Sequence, residues 1–235
     1  MHVPPPNDDR PTLRTPAGEI PLQEYHLRLG GRAWRILHAG AVLSEHDEQR
    51  LLSEDPRPPY GIALWPAAIA LAHELTARAA DLRGRTVLEL GAGTGFPGIV
   101  AASLGAKVVQ TDRNEVPMSI CRRNAERNGV TTIEHRVADW TLWDDPARYD
   151  LIIGADVIYS EQMHEHLRPI FESNLAPGGR VLLSDPFRPL GLRFLGALEG
   201  AGWRITVAKW TVGEVATPRP IGVFELTRGD DVGLD

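Results

Sequence analysis

From residue 86 onward, apolar positions fall in short continuous runs, divided by longer stretches in which they recur every three or four places. The short runs are too brief for helices and too continuous for half-exposed strands, so they read as strands buried on both faces. The stretches between them read as amphipathic helices. This spacing predicts strands at 86–90, 107–111, 132–137, 150–155 and 180–184, and helices at 97–104, 115–128, 161–175 and 190–200. Pro177-Gly178-Gly179 is expected to turn. Two final strands, near 203–210 and 220–227, are close enough in sequence to pair antiparallel at or near an edge. Upstream, Pro66 suits the first position of a helix reaching about Ala80, with Ala68, Leu71, Leu75 and Ala79 on one face. Tyr25, Leu27 and Leu29 alternate, Gly30-Gly31 turns, and Trp34, Ile36 and His38 alternate back, the pattern of a hairpin over 23–38. Ser44-Glu45-His46-Asp47 resembles a capping box and predicts a short helix over 45–53.

Strand–helix units in series, with apolar strands, call for a parallel sheet covered on both faces. The expected fold is a doubly wound α/β domain with a mostly parallel seven-stranded sheet and an N-terminal β extension. Four segments follow: a proline-rich flexible tail (1–19), the extension (20–59), the main domain (60–228) and a short C-terminal tail (229–235).

Composition narrows the classes. The net charge is −6 over 235 residues, the opposite of what a general nucleic-acid binder carries. No apolar run approaches the ~20 residues that cross a bilayer. The first ten residues lack the basic and apolar regions of a secretory signal. One cysteine, Cys121, excludes an internal disulfide framework and a multi-cysteine metal cage. The expected compartment is the cytoplasm. Cys121 reads as a structural thiol. His164 and His166 are two apart, so a helix points them to different sides and no metal site is expected.

The densest signal is Glu89-Leu90-Gly91-Ala92-Gly93-Thr94-Gly95-Phe96-Pro97. A buried strand ends, three glycines make a turn, and a proline opens a helix. Such a turn lets a ligand lie against the backbone at a helix N-terminus. A nicotinamide dinucleotide asks for a third glycine where Phe96 stands. A phosphate loop asks for a lysine, and none is present here. Glu89 would repel a phosphate and favour a cationic ligand. Further acids close the other strands: Asp112, Asp139, Asp156 and Asp185. In open α/β sheets, ligands bind at those strand ends.

The segment from Glu89 to Gly95 resembles motif I of the class I, seven-strand methyltransferases, and the resemblance extends over about residues 60–228. It implies S-adenosyl-L-methionine as cofactor and S-adenosyl-L-homocysteine as product. It implies cofactor contacts at Glu89, Gly91, Ala92, Gly93 and Gly95. It further implies ribose binding at Asp112 with Arg113 beside it, adenine contact at Asp139 and Trp140, and a cofactor contact at Ala155. Tyr60-Gly-Ile-Ala-Leu-Trp65-Pro66 is similar to the tryptophan motif of the seven-strand protein lysine methyltransferases, often numbered family 16, and adds Trp65 to the cofactor set. Asp156-Val157-Ile158-Tyr159 is similar to their acid-x-x-aromatic motif and marks Asp156 and Tyr159 as catalytic. Members of that subgroup modify chaperones, elongation factors and a flavoprotein subunit. Asp185-Pro186-Phe187-Arg188 resembles the flavoprotein-modifying branch, but Phe187 stands where that branch has a small residue, so its substrate is not carried over. An Asn-Pro-Pro-Tyr tetrapeptide is absent.

The resemblance implies N-methylation of a lysine on a protein substrate, with no membrane partner and no metal. Asp156 would capture and orient the incoming ammonium, Tyr159 would wall the channel, and Glu89 would act on the cofactor through the loop. A small-molecule N-methyltransferase, a nucleic-acid methyltransferase and a non-catalytic binding module are the alternatives.

Overall fold

The computed structural model describes residues 11–15, 18–42, 60–213 and 218–229. The expected helix over 45–53 lies outside them.

The seven strands that form the main sheet are β7 (Thr86–Leu90), β8 (Lys107–Asp112), β9 (Glu134–Val137), β10 (Tyr149–Ala155), β11 (Leu175–Asp185), β12 (Trp203–Val212) and β13 (Arg219–Arg228). Ahead of them come β1 (Thr12–Thr15), β2 (Gly18–Pro21), β3 (Gln23–Leu29), β4 (Arg32–His38), β5 (Gly40–Ala41) and β6 (Ala63–Leu64). The helices are α1 (Pro66–Ala77), α2 (Ala79–Leu82), α3 (Phe96–Ser103), α4 (Glu115–Arg127), α5 (Glu161–Asn174) and α6 (Pro189–Gly200), with 3₁₀ turns at Tyr60–Ile62 and Trp140–Leu142. The sheet order is β12-β13-β11-β10-β7-β8-β9. β8, β7, β10 and β11 pair parallel with their neighbours up to β11, β9 is parallel to β8, and β13 runs antiparallel between β11 and β12. The final two strands therefore pair as expected, but β13 inserts inside and β12 takes the edge.

Because the chain leaves β7 toward β8 and β9 and later returns to β10 on the other side, the strand order reverses between β7 and β10. That reversal opens a crevice at their carboxyl ends. Neighbours along one strand feed opposite cores: Val87 joins α1 and α3 on one face, while Leu88 and Leu90 join α5 and α6 on the other. Burial on both faces explains the continuous apolar runs.

Two expected boundaries moved. The helix from Pro66 breaks at Arg78, whose guanidinium is drawn to Glu74 and to Glu225 on β13. Strand β11 begins at Leu175, which pairs with Tyr149, before Pro177-Gly178-Gly179 loops out and the ladder resumes at Arg180 opposite Leu151. The turn is thus a bulge within the strand.

The hairpin β3–β4 forms as expected, with Gly30 and Gly31 both at positive φ (60° and 75°). That is the two-residue turn whose twist matches the strands. Trp34 and Ile36 sink into the α1/α3 core. After the hairpin, β5 pairs parallel with β6, which leads directly into Trp65 and α1.

Candidate active site

The turn after β7 is built from left-handed backbone. Gly91, Gly93 and Gly95 have φ of 63°, 56° and 77°, a region costly for residues with a Cβ. Space reinforces the choice. A Cβ on Gly91 would lie 2.9 Å from Val157 and 3.4 Å from the Trp140 ring, and one on Gly95 would lie 2.9 Å from the Cys121 sulfur. Gly95 caps α3, and Pro97 occupies its first turn.

Three successive carbonyls of the turn are held from inside. The Cys121 thiol donates to the Gly93 oxygen at 3.2 Å, Asn124 Nδ2 donates to that of Thr94 at 2.9 Å, and Gln110 Nε2 donates to that of Gly95 at 2.8 Å. The Gly93 N–H donates to Asp112 Oδ2 at 3.1 Å. Asp112, at the end of β8, therefore touches the turn directly, and burial raises its carboxyl above the usual range. Cys121 is fully buried, as a structural thiol should be, and its pKa is pushed well up by that burial.

Glu89 sits beneath the turn, 1% exposed. Its Oε1 accepts from the Gly98 N–H (3.2 Å) and its Oε2 from Gln110 Nε2 (2.5 Å). Desolvation outweighs these bonds and pushes its carboxyl up to about 8. Both oxygens are engaged within the fold, so Glu89 braces the strand–turn–helix junction from below.

On the far side of the crevice, Asp139 accepts from the Thr141 N–H (2.9 Å) and hydroxyl (2.8 Å), and pairs with Arg113 Nε at 3.0 Å. The first two bonds cap the short turn Trp140–Leu142 and lower the Asp139 pKa. Trp140 lies half-buried against Gly91. Trp65 is half-buried beside Val42 and Ala63 at the head of α1. Ala92 is buried with Met118 and Cys121 beneath the turn.

A second cluster forms where β10 and β11 end together. Ala155 pairs with Ser184, the Asp156 N–H donates to the Ser184 carbonyl at 2.8 Å, and Asp185 closes β11. The Arg188 guanidinium joins the two acids: Nη1 and Nη2 both meet the Asp156 carboxylate, and Nη1 lies 3.2 Å from Asp185 Oδ2. Its backbone N–H donates to Asp185 Oδ1 at 2.7 Å. Asp156 and Phe187 are the two non-glycine residues at positive φ among the described residues (58° and 60°). Such strained backbone gathers at functional sites. Tyr159 stands in the following loop, 59% exposed.

A profile of the lysine methyltransferase family matches residues 45–189. The chain belongs to this lysine methyltransferase family. A curated relative in the zebrafish Danio rerio, protein N-lysine methyltransferase METTL21A, is 37% identical over 178 residues, covering 73% of this chain and 71% of that protein. Histone-arginine methyltransferase METTL23 of Xenopus laevis is 33% identical over 155 residues, covering 62% of this chain and 64% of that protein. For the first curated relatives that it matches, the chain spans less than two thirds of their length. Among solved structures, a ribosomal protein L11 methylase from Lactobacillus delbrueckii subsp. bulgaricus superposes with a TM-score of 0.51 at 27% identity, over 66% of this chain and 79% of that one.

In this family member the fold brings most of the residues singled out from sequence to one end of the sheet, since the glycine turn, Asp112, Asp139, Trp140 and Asp156 all lie at or just past the carboxyl ends of adjacent parallel strands. Sequence reasoning assigned no site role to Arg188, Gln110, Asn124 or Cys121. Gln110 carried a signal, being polar in the middle of the apolar run of β8. Asn124 and Asn128 stand one helical turn apart, and only the packed fold shows both amides to be buried.

Proposed function

We propose that this chain transfers a methyl group from S-adenosyl-L-methionine to a lysine side chain of a protein, and that it works in the cytoplasm. The single observation that carries the reading is the joint built by Asp112 and the glycine turn, at the same end of the sheet as the Asp156–Arg188–Asp185 cluster. The residues fit the cofactor. The turn offers backbone free of side chains, an acid at the end of β8 is positioned for hydroxyl groups, and no lysine near the turn invites a phosphate. When bound, S-adenosyl-L-methionine supplies a methyl group already activated by a positive sulfur.

The chain's own residues then have three tasks. Asp112 would hold the ribose while fastening the turn, with Arg113, Asp139 and Trp140 shaping the adenine end and Glu89 acting through the junction it braces. Gly91, Ala92, Gly93 and Gly95 would give the cofactor its backbone floor, with Trp65 and Ala155 at its margins. Asp156 and Tyr159 would receive the acceptor. A lysine must be neutral to attack, and from a pKa near 10.4 this costs about 4–5 kcal/mol at pH 7. A fully charged acid pair would worsen that cost. Arg188 offsets part of the charge of Asp156 and Asp185, Arg219 also acts on Asp185, and the field that remains would draw the ammonium in.

The relatives include enzymes named for lysine and for arginine. The Arg188 fork favours lysine, because a guanidinium acceptor seeks the same bidentate carboxylate edge that Arg188 already takes on Asp156. An ammonium, a compact point charge, needs only the residual field.

The test is incubation with labelled S-adenosyl-L-methionine and a lysate of the source cell stripped of prior methylation, followed by acid hydrolysis. Label in methyl-lysine of a protease-sensitive band is expected. Label in methyl-arginine or in the small-molecule fraction rejects the reading.

A further inference from the structure

Helix α4 carries two asparagines one turn apart, and they treat strand β4 as a neighbouring strand would. Asn124 Oδ1 accepts from the Leu37 N–H at 2.7 Å, and its Nδ2 donates to the Leu37 carbonyl at 3.0 Å. Asn128 repeats this at Arg35, accepting from its N–H at 3.1 Å and donating to its carbonyl at 2.8 Å. Four helical residues advance about 6 Å and two strand residues about 6.7 Å, so the two ladders stay in step. The outer edge of the hairpin is thus paired with side-chain amides.

The two asparagines differ in one respect. The second N–H of Asn128 donates to the Asn124 carbonyl within its own helix. That of Asn124 donates to the Thr94 carbonyl, in the middle of the glycine turn. One buried amide therefore joins Leu37 of the hairpin to the cofactor turn. An apolar contact runs beside it: Trp34 meets Phe96, the first residue of α3, edge to face at 5.8 Å between centroids. Cys121 and Gln110 hold the flanking carbonyls, but they belong to the elements that already frame the turn.

We propose that Asn124 is a positioning residue for the cofactor turn, and that the N-terminal hairpin sets cofactor affinity by fixing its amide. The idea rests on the proposed cofactor and names a part of the chain, outside the crevice, that tunes it. Coupling of this kind is reciprocal. What the hairpin does for the cofactor, the cofactor must do for the hairpin.

Asn124→Ala and Asn128→Ala remove equal amounts of side chain and each free one β4 residue. Both are expected to lower the melting temperature. Calorimetric titration with S-adenosyl-L-methionine should show Kd raised roughly tenfold for Asn124→Ala, the scale of one buried hydrogen bond, and little changed for Asn128→Ala. Equal shifts in both variants, or none in either, overturn the proposal. In the wild-type chain, hydrogen exchange of the Leu37 amide should slow when the cofactor is added, and an unaltered rate also overturns it, whether or not the variants fold. A wild-type chain that fails to bind S-adenosyl-L-methionine removes the proposed function along with this inference. A chain that binds it, with indistinguishable variants, removes the inference alone.

Discussion

Arg188 meets Asp156 end-on, both terminal nitrogens turned to the one carboxylate, although the two residues are 32 positions apart in the chain. Arg188 is the internal counterion of this cluster. Asp156 and Asp185 are both buried, and two buried carboxylates side by side would otherwise repel one another.

Removing the guanidinium should therefore cost stability and turnover separately. Arg188→Met removes the guanidinium that bridges the two acids, while the backbone N–H of residue 188 and the charge of Arg219 still act on Asp185, and is expected to destabilise the fold by about 3–5 kcal/mol. Adding Asp156→Asn should restore part of that stability and none of the methyl transfer. Thermal denaturation and label transfer on the single and double variants check this.

Asp112 fastens the glycine turn and is the proposed ribose ligand. Asp112→Ala is expected to weaken S-adenosyl-L-methionine binding by about 1–3 kcal/mol, the range of a lost hydrogen bond to a charged group. Titration calorimetry on the folded variant reads it directly, and unchanged affinity rejects the assignment.

Glu89 makes stability depend on pH with a definite sign. Its folded pKa, about 8, lies above its ordinary value of 4.5. Between these values the folded chain keeps a proton that the unfolded chain has released. Unfolding free energy should thus fall as pH rises through this window, by up to ~1.4 kcal/mol per unit, and level off above pH 8. Glu89→Gln, which cannot ionise, should show a shallower fall between pH 5 and 8. Denaturant melts of both proteins across that range decide it.

Gly98 reverses a familiar rule. An alanine in a helix usually stabilises relative to glycine by about 0.5–1 kcal/mol. At Gly98 a Cβ would fall 2.6 Å from Gln110 Nε2 and closer still to the Glu89 carboxylate. Gly98→Ala is expected to destabilise by about 1–3 kcal/mol through overpacking. A gain in melting temperature would show that the junction beneath the turn yields easily.

The sheet was legible because strands buried on both faces write continuous apolar runs, as Val87-Leu88 and Leu151-Ile152-Ile153 do. The hairpin was legible because alternation and a Gly-Gly turn are local signals. The glycine turn was legible because its backbone demands a residue type. Arg188 was not, because its meaning depends on Asp156 arriving beside it from another strand. Asn124 was hidden for the same reason, since its partners lie 87 and 30 positions away. Arg78, where the helix from Pro66 ends, pairs with Glu225 on β13, a contact that no local pattern near residue 78 announces. The early start of β11 depends on Tyr149 offering Leu175 a partner.

The asparagine ladder also says where this protein cannot be divided. A cut before residue 60 would look natural by motif, since every candidate cofactor and catalytic residue lies beyond it. It would strip Leu37 and Arg35 from two buried amides and open the Phe96 ring to water. The remaining piece would hold every candidate residue and lack the scaffold that keeps its floor in place, so the hairpin β3–β4 belongs to the body of this domain.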